Sequence, residues 1–211
     1  RDLNAIKSDL EIKFKINIDV MPLDFSSVDE IKDKLFSNQN LLQNLDGVLF
    51  PVGMMFDEDN FKTDSIKMNQ LIRANFISIA FTIQELKKFF DVNKNPSIVG
   101  FGSVSGFLGR NINITYAAAK RALESYFESL CFEKDLKKMN IQFYILGYLD
   151  TNLSFGKNLK LPKAPVTKLA RIVYKNLNKK FKKVYYPSYW RLVFLIIKII
   201  PFVLLRKLNL K

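Results

Sequence analysis

Histidine is absent from this 211-residue chain, and cysteine occurs once, at Cys131. Without an imidazole, His-based acid/base chemistry is excluded. A His/Cys metal cluster is excluded by the same shortage. One cysteine cannot close an internal disulfide, and a reducing cytoplasmic setting fits the lone thiol. Its neighbours in SLCF suggest a helix thiol turned to the interior. Glycine is scarce at 8 residues, and no Gly-rich turn of the kind that cradles a phosphate between a strand and a helix occurs anywhere. No apolar run reaches the roughly 20 residues that a membrane-spanning helix needs.

Acidic residues are missing from one segment only. Residues 151–211 hold 15 Lys and Arg with no Asp or Glu, whereas residues 1–150 hold 18 basic and all 20 acidic residues. The net charge of +13 therefore belongs to the C-terminal segment. Such a segment points to an anionic partner: a membrane surface, a nucleic acid or a phosphorylated substrate.

What is present is enough apolar material for one domain with a sizeable core, at 48% of residues. The pattern predicts helices over residues 2–10, 26–36, 63–90, 115–138 and 165–180. Strands are predicted over residues 16–20, 47–52, 97–102, 141–146 and 183–186. Residues 47–52 read as a strand buried on both faces. Asp29 and Glu30 in a first turn, and Pro165 at a helix start, are ordinary start signals. Strands alternating with helices give an α/β fold with a parallel sheet.

Tyr116 and Lys120 are separated by three alanines, and Ser103 lies thirteen positions before the tyrosine at the end of a predicted strand. Positions i and i+4 share one face of a helix. A phenol beside an ammonium is easier to deprotonate, because the positive charge favours the phenolate. A serine hydroxyl in reach of that phenol completes a device for moving a proton on or off a carbonyl oxygen. Asn75, in the long helix upstream, joins this set.

These residues resemble the short-chain dehydrogenase/reductase family over most of the chain. The resemblance implies a Rossmann-like, doubly wound parallel sheet and a catalytic set of Asn75, Ser103, Tyr116 and Lys120. It also implies cofactor contacts at Asp24 (in LDF), Gly53 (in FPVG), Gly147 and Thr151 (in LGYLDT), besides Tyr116 and Lys120. Arg1 looks like the position that meets the 2′-phosphate, so NADP is the implied cofactor, with NAD as the other candidate. Two landmarks depart: the family's Asn-Asn-Ala-Gly turn keeps only Gly53, and the proline of the later motif is Leu146. The phosphate-binding unit has no counterpart, so the fold is read as lacking its first βαβ unit. Strand 16–20 is then expected to lack its native neighbour. Alone, such a chain is expected to fold poorly and to bind dinucleotide weakly.

The dehydrogenase-like domain is assigned to residues 1–187 and a basic, apolar tail to residues 188–211. The tail's 14-residue apolar run (192–205) holds Lys198 and Pro201, and is flanked by Tyr189, Trp190, Arg206 and Lys207. It fits a helix packed on the sheet or on a second subunit, and it equally fits docking in the plane of a membrane surface. Nucleic acid is the weakest partner, because the aromatics sit among aliphatics rather than along a basic groove. The ending also resembles a branch of the family that reduces 2-keto sugars on polyprenyl phosphate carriers in surface-polysaccharide pathways. The implied activity is an NAD(P)-dependent oxidoreductase on a small or lipid-linked carbonyl or alcohol. It would work in the cytoplasm or at the inner membrane face, as a homo-oligomer. The altered turn at Gly53 supports the alternative, a non-catalytic membrane-associated scaffold. Lys157 and Lys160, after Thr151, could meet a substrate phosphate or lie in a solvated loop.

Overall fold

The computed structural model describes residues 2–151, 154, 156 and 161–207. Among them, β1 (Gly47–Phe50), β2 (Ser97–Ser103), β3 (Asn140–Leu146) and β4 (Lys182–Tyr186) form a parallel sheet in the order β1-β2-β3-β4. The helices are α1 (Leu3–Phe14), α2 (Val28–Ser37), α3 (Ser65–Ile72), α4 (Ser78–Leu86), α5 (Ile114–Leu130), α6 (Val166–Asn176), α7 (Trp190–Ile199) and α8 (Phe202–Lys207). A π-helical turn, Arg73–Ile77, joins α3 to α4. This is the predicted α/β class, with helices on both faces of the sheet.

Alternation along the strands builds two cores. Ile98 of β2 and Phe143 and Ile145 of β3 pack with Ile79 and Ile83 of α4 and Leu123 and Phe127 of α5. Val99 and Tyr144, the neighbours in sequence, face the other way and pack with Leu169 and Val173 of α6. Glycines let the helix layer approach closely: a methyl at Gly100 would lie 2.4 Å from the Phe127 ring. Local capping sets several starts. The Ser27 hydroxyl accepts the Glu30 N–H, and the Asp64 carboxylate accepts the Lys67 N–H.

Several expectations are corrected. Residues 16–20 form no strand; β-branched composition favours extension, but no ladder partner is present for it among the described residues. The Ile18 N–H is taken instead by the Glu11 carboxylate at 2.9 Å. Strand β1 stops at Phe50, because Pro51 has no N–H to continue a ladder. Leu49, expected to be buried, is 47% exposed, since the face it shares with Val99 is not covered over β1. Helix α5 ends at Leu130, not near residue 138, and a 3₁₀ turn (Lys134–Leu136) follows. Cys131 therefore sits just past the helix, half-buried, with its thiol against the Phe127 carbonyl at 3.2 Å. Helix α1 runs four residues beyond its predicted end and has no buried residue.

Candidate active site

The carboxyl ends of the strands gather the chemistry-bearing residues, the usual ligand edge of an open α/β sheet. Ser103 closes β2 and is paired in register with Leu146 of β3, so Gly147 lies one step beyond it. The Ser103 Oγ accepts the Ser105 N–H at 3.1 Å, which turns the chain sharply after the strand. Helix α5 then returns across the sheet and brings Tyr116 and Lys120 back over this edge.

Tyr116 is buried, and its phenol lies beside the Ser103 hydroxyl, near enough to be influenced by it. Lys120 is buried as well, with Nζ 5.9 Å from the centroid of the Tyr116 ring. Its ammonium donates to the carbonyls of Val52 (2.9 Å) and Phe101 (3.1 Å), which tie it to the turn just past β1 and to β2. Burial pulls the Lys120 ammonium down to about 8. Burial also raises the Tyr116 phenol above the ordinary tyrosine value, and the neighbouring Ser103 hydroxyl opposes that rise. A phenol governed by its neighbouring ammonium alone would shift the other way. Desolvation wins here because the Lys120 charge is spent on two carbonyls rather than aimed at the phenol oxygen.

Asn75 is fully buried in the π-turn. Its Nδ2 donates to the Met54 carbonyl (2.8 Å) and the Leu71 carbonyl (2.9 Å), and its Oδ1 accepts the Met54 N–H (3.2 Å). Asn75 thus pins the turn that follows β1. The π-turn inserts one extra residue per turn, a device common where a helix must present a side chain off its regular face. Gly53 sits in that turn. A methyl there would lie 3.7 Å from the Asn75 Oδ1 and 3.9 Å from the Lys120 Nζ, so a side chain would fill the space the two polar groups share.

The remaining predicted residues are more scattered. Gly147 donates its N–H to the Tyr186 carbonyl at 2.8 Å. Its open side is occupied by Trp190 of α7, whose Nε1 would lie 1.9 Å from an added methyl. Thr151 is exposed and takes part in a turn with Ser154. Asp24 is exposed and accepts the N–H and hydroxyl of Ser26, both at 2.8 Å, while the adjacent Phe25 packs edge-on against Phe50. Asp24 therefore stands near the end of β1. Arg1, Lys157 and Lys160 lie outside the described residues. Among those residues, no group of His, Cys, Asp and Glu could hold a metal ion.

Two features of this edge escaped sequence reasoning. Trp190, which flanks the apolar run of the tail, contacts Phe107 and Tyr148 beside Gly147. The Asp59 carboxylate meets the first turn of α5 from a distant loop. Only the acidic cluster DED at 57–59 could have drawn attention to it.

A family model described as short chain dehydrogenase matches residues 1–161. The chain belongs to the short-chain dehydrogenase family. It is 35% identical over 152 residues to hydroxysteroid 11-beta-dehydrogenase 1-like protein B of Xenopus laevis, covering 69% of this chain and 49% of that protein. It is 24% identical over 147 residues to a 3-oxoacyl-[acyl-carrier-protein] reductase of Buchnera aphidicola, covering 70% and 60%. The chain spans about half the length of the curated relatives it matches. A short-chain dehydrogenase from Sphingobium yanoikuyae, solved in complex with NADPH, shares the fold with a TM-score of 0.75 at 17% identity, covering 92% of this chain and 80% of that one. An alcohol dehydrogenase from Thermococcus sibiricus, complexed with 5-hydroxy-NADP, gives 0.71 at 13% identity, covering 87% and 80%. These two likenesses speak to the fold alone.

Proposed function

We propose that this short-chain dehydrogenase is an NADP(H)-dependent oxidoreductase acting on a carbonyl or alcohol, with Asn75, Ser103, Tyr116 and Lys120 as its working residues. NAD(H) is the other candidate dinucleotide. The observation that carries the reading is the buried Tyr116 phenol beside the Ser103 hydroxyl, with the Lys120 ammonium over its ring. A dinucleotide bound at this edge would supply or receive the hydride. The raised Tyr116 value keeps the phenol protonated at neutral pH, so it can donate to an oxygen that gains negative charge. Ser103 would hold the same oxygen by a hydrogen bond. Lys120 is suited to the ribose hydroxyls, because its ammonium lies within reach of the open space above Gly53. Asn75 keeps that space open by fixing Met54. Asp24, Thr151 and, by resemblance, Arg1 are the further proposed cofactor contacts. The open side of Gly147 is filled by Trp190, so Gly147 would contribute through its backbone.

A lipid-linked keto sugar is the proposed substrate class, and the protein would meet it at a membrane surface. Support comes from the tail. Helices α7 and α8 expose Leu192, Leu195, Ile196, Ile199, Phe202 and Val203, in a segment without acids. No helix among the described residues is long and apolar enough to cross a membrane, so contact would be peripheral. A second reading, a scaffold without turnover, draws support from Trp190 seated on Gly147. The deciding assay is NADPH oxidation by the full gene product with polyprenyl-phosphate-linked and simple ketones. Ketone-dependent oxidation supports the enzyme; none with any ketone, despite NADPH binding, overturns it in favour of the scaffold.

A further inference from the structure

Helix α5 starts without a cap of its own. Asn113, the residue before it, adopts a left-handed conformation (φ 54°) and offers no side-chain bond to the first turn. A helix start leaves its first N–H groups without intrahelical partners, and a buried start must satisfy them from elsewhere. One distant residue does so. The Asp59 carbonyl accepts the Ile114 N–H at 3.3 Å, and its two carboxylate oxygens accept the Thr115 N–H at 3.0 Å and the Tyr116 N–H at 2.7 Å. Asp59 is 2% exposed, and no cation pairs with it among the described residues. The positive end of the α5 dipole and these N–H groups are its counter-charge.

The loop that carries Asp59 is held at both ends. After β1 it passes through the Gly53–Met54 turn, fixed by Asn75. Beyond Asp59, Asn60 and Thr63 close a tight turn: the Thr63 Oγ1 accepts the Asn60 N–H and donates to the Glu58 carbonyl, both at 2.8 Å. Asp64 then caps α3. One loop therefore links the Asn75 turn to the backbone of Tyr116.

We propose that Asp59 is a positioning residue, a cap supplied from outside the helix that fixes the axial position of α5 and so holds the Tyr116 phenol against Ser103. The inference rests on Tyr116 being the proton donor. Ser103 stands on β2 and Tyr116 on α5, so the approach of the phenol to the serine hydroxyl depends on where the helix begins. Releasing the first turn lets the phenol slide or tip away from the serine and toward solvent. An error of about 1 Å in such an arrangement costs on the order of 100-fold in rate.

The test reads Tyr116 directly, without turnover. The full gene product is labelled with 3-fluorotyrosine, and the Tyr116 resonance is assigned by its loss in Tyr116→Phe. In Asp59→Ala, the Tyr116 resonance is expected to move and its titration to fall back toward the ordinary tyrosine value. The other tyrosines should keep their positions. Amide exchange at Thr115 and Tyr116 should quicken by at least about tenfold, as expected for losing a charged cap. If Asp59→Ala does not fold, Asp59→Asn decides. It keeps one acceptor oxygen and turns an NH₂ toward the other N–H, so exchange should quicken at one of the two amides. A Tyr116 resonance and titration unchanged in folded Asp59→Ala, or exchange unchanged at both amides in Asp59→Asn, overturns the proposal. Retained turnover in Tyr116→Phe would instead remove the functional reading on which it rests.

Discussion

At Lys120, two backbone carbonyls stand where a counter-ion would be expected. The ammonium is almost completely buried, and its partners at Val52 and Phe101 are neutral dipoles. They hold the group in place but repay only part of the cost of taking it out of water, and its pKa falls from 10.5 to about 8. The sign of the stability effect follows. Between pH 8 and 10.5 the unfolded chain holds this proton more tightly than the folded one, so stability rises with pH across that window. The gain from this group is about 3 kcal/mol over the full window. Lys120→Met should flatten the rise in a denaturation series from pH 7.5 to 10 and leave the fold intact. An identical pH dependence in the two proteins would mean that Lys120 is not the group responsible. In the proposed reaction Lys120 must stay charged to hold ribose hydroxyls, so activity should decline as pH passes about 8, through the folded value.

Helix α7 brings a different kind of contact. Trp190, the chain's single tryptophan, lies against Gly147 so closely that any side chain there would overlap the indole. Its Nε1 is buried without a hydrogen-bond partner among the described residues, which opposes docking by about 1–3 kcal/mol. Aromatic packing offsets this: Phe107, Tyr185 and Phe194 form one cluster between α7, β4 and the turn after Ser103. Gly147→Ala should therefore lift α7 off the strand ends, and the tryptophan emission should shift to the red as the indole meets water. Emission unchanged in that variant would contradict the seating. Helix α1 makes the opposite case. It has a good cap, with the Asp2 carboxylate accepting the Asn4 and Ala5 N–H groups, yet buries no residue. Helices of this length are marginal without tertiary support. In the 211-residue chain its amides should exchange far faster than those of β2 and β3; equal protection would show that α1 is packed against something.

Across the whole molecule, what the sequence made legible was what is local. Tyr116, Lys120 and Ser103 share one helix and the strand end before it, so spacing alone brings them together. The sheet was readable because 47–50, 97–103 and 140–146 are apolar runs bounded by turn residues. Residues 16–20 misled because extension needs a ladder partner, which propensity cannot report. The direction of the Tyr116 shift was also hidden: a charge four residues away is visible in sequence, whereas the dry surroundings and the carbonyls that engage Lys120 are not. Asp59 and Trp190 reach the site from 57 and 43 positions away from their contacts at Tyr116 and Gly147, beyond any local pattern. The tail combines exposed apolar side chains with 15 basic residues and no acid over residues 151–211. It should bind anionic phosphatidylserine vesicles more tightly than neutral phosphatidylcholine ones, with only partial loss at high salt, since apolar insertion is not screened. Complete loss at high salt, or a preference for DNA, would contradict the membrane reading.

The most direct test of the central claim is Tyr116→Phe in the full gene product, measured as ketone-dependent NADPH oxidation beside NADPH affinity. Removing the proton donor while keeping the ring should lower turnover by at least about 100-fold. NADPH affinity should stay within a few-fold of the parent, because the phenyl ring still fills its place. Turnover retained within a few-fold would contradict the account: the buried Tyr116 beside Ser103 would then be packing, and the proton would come from elsewhere.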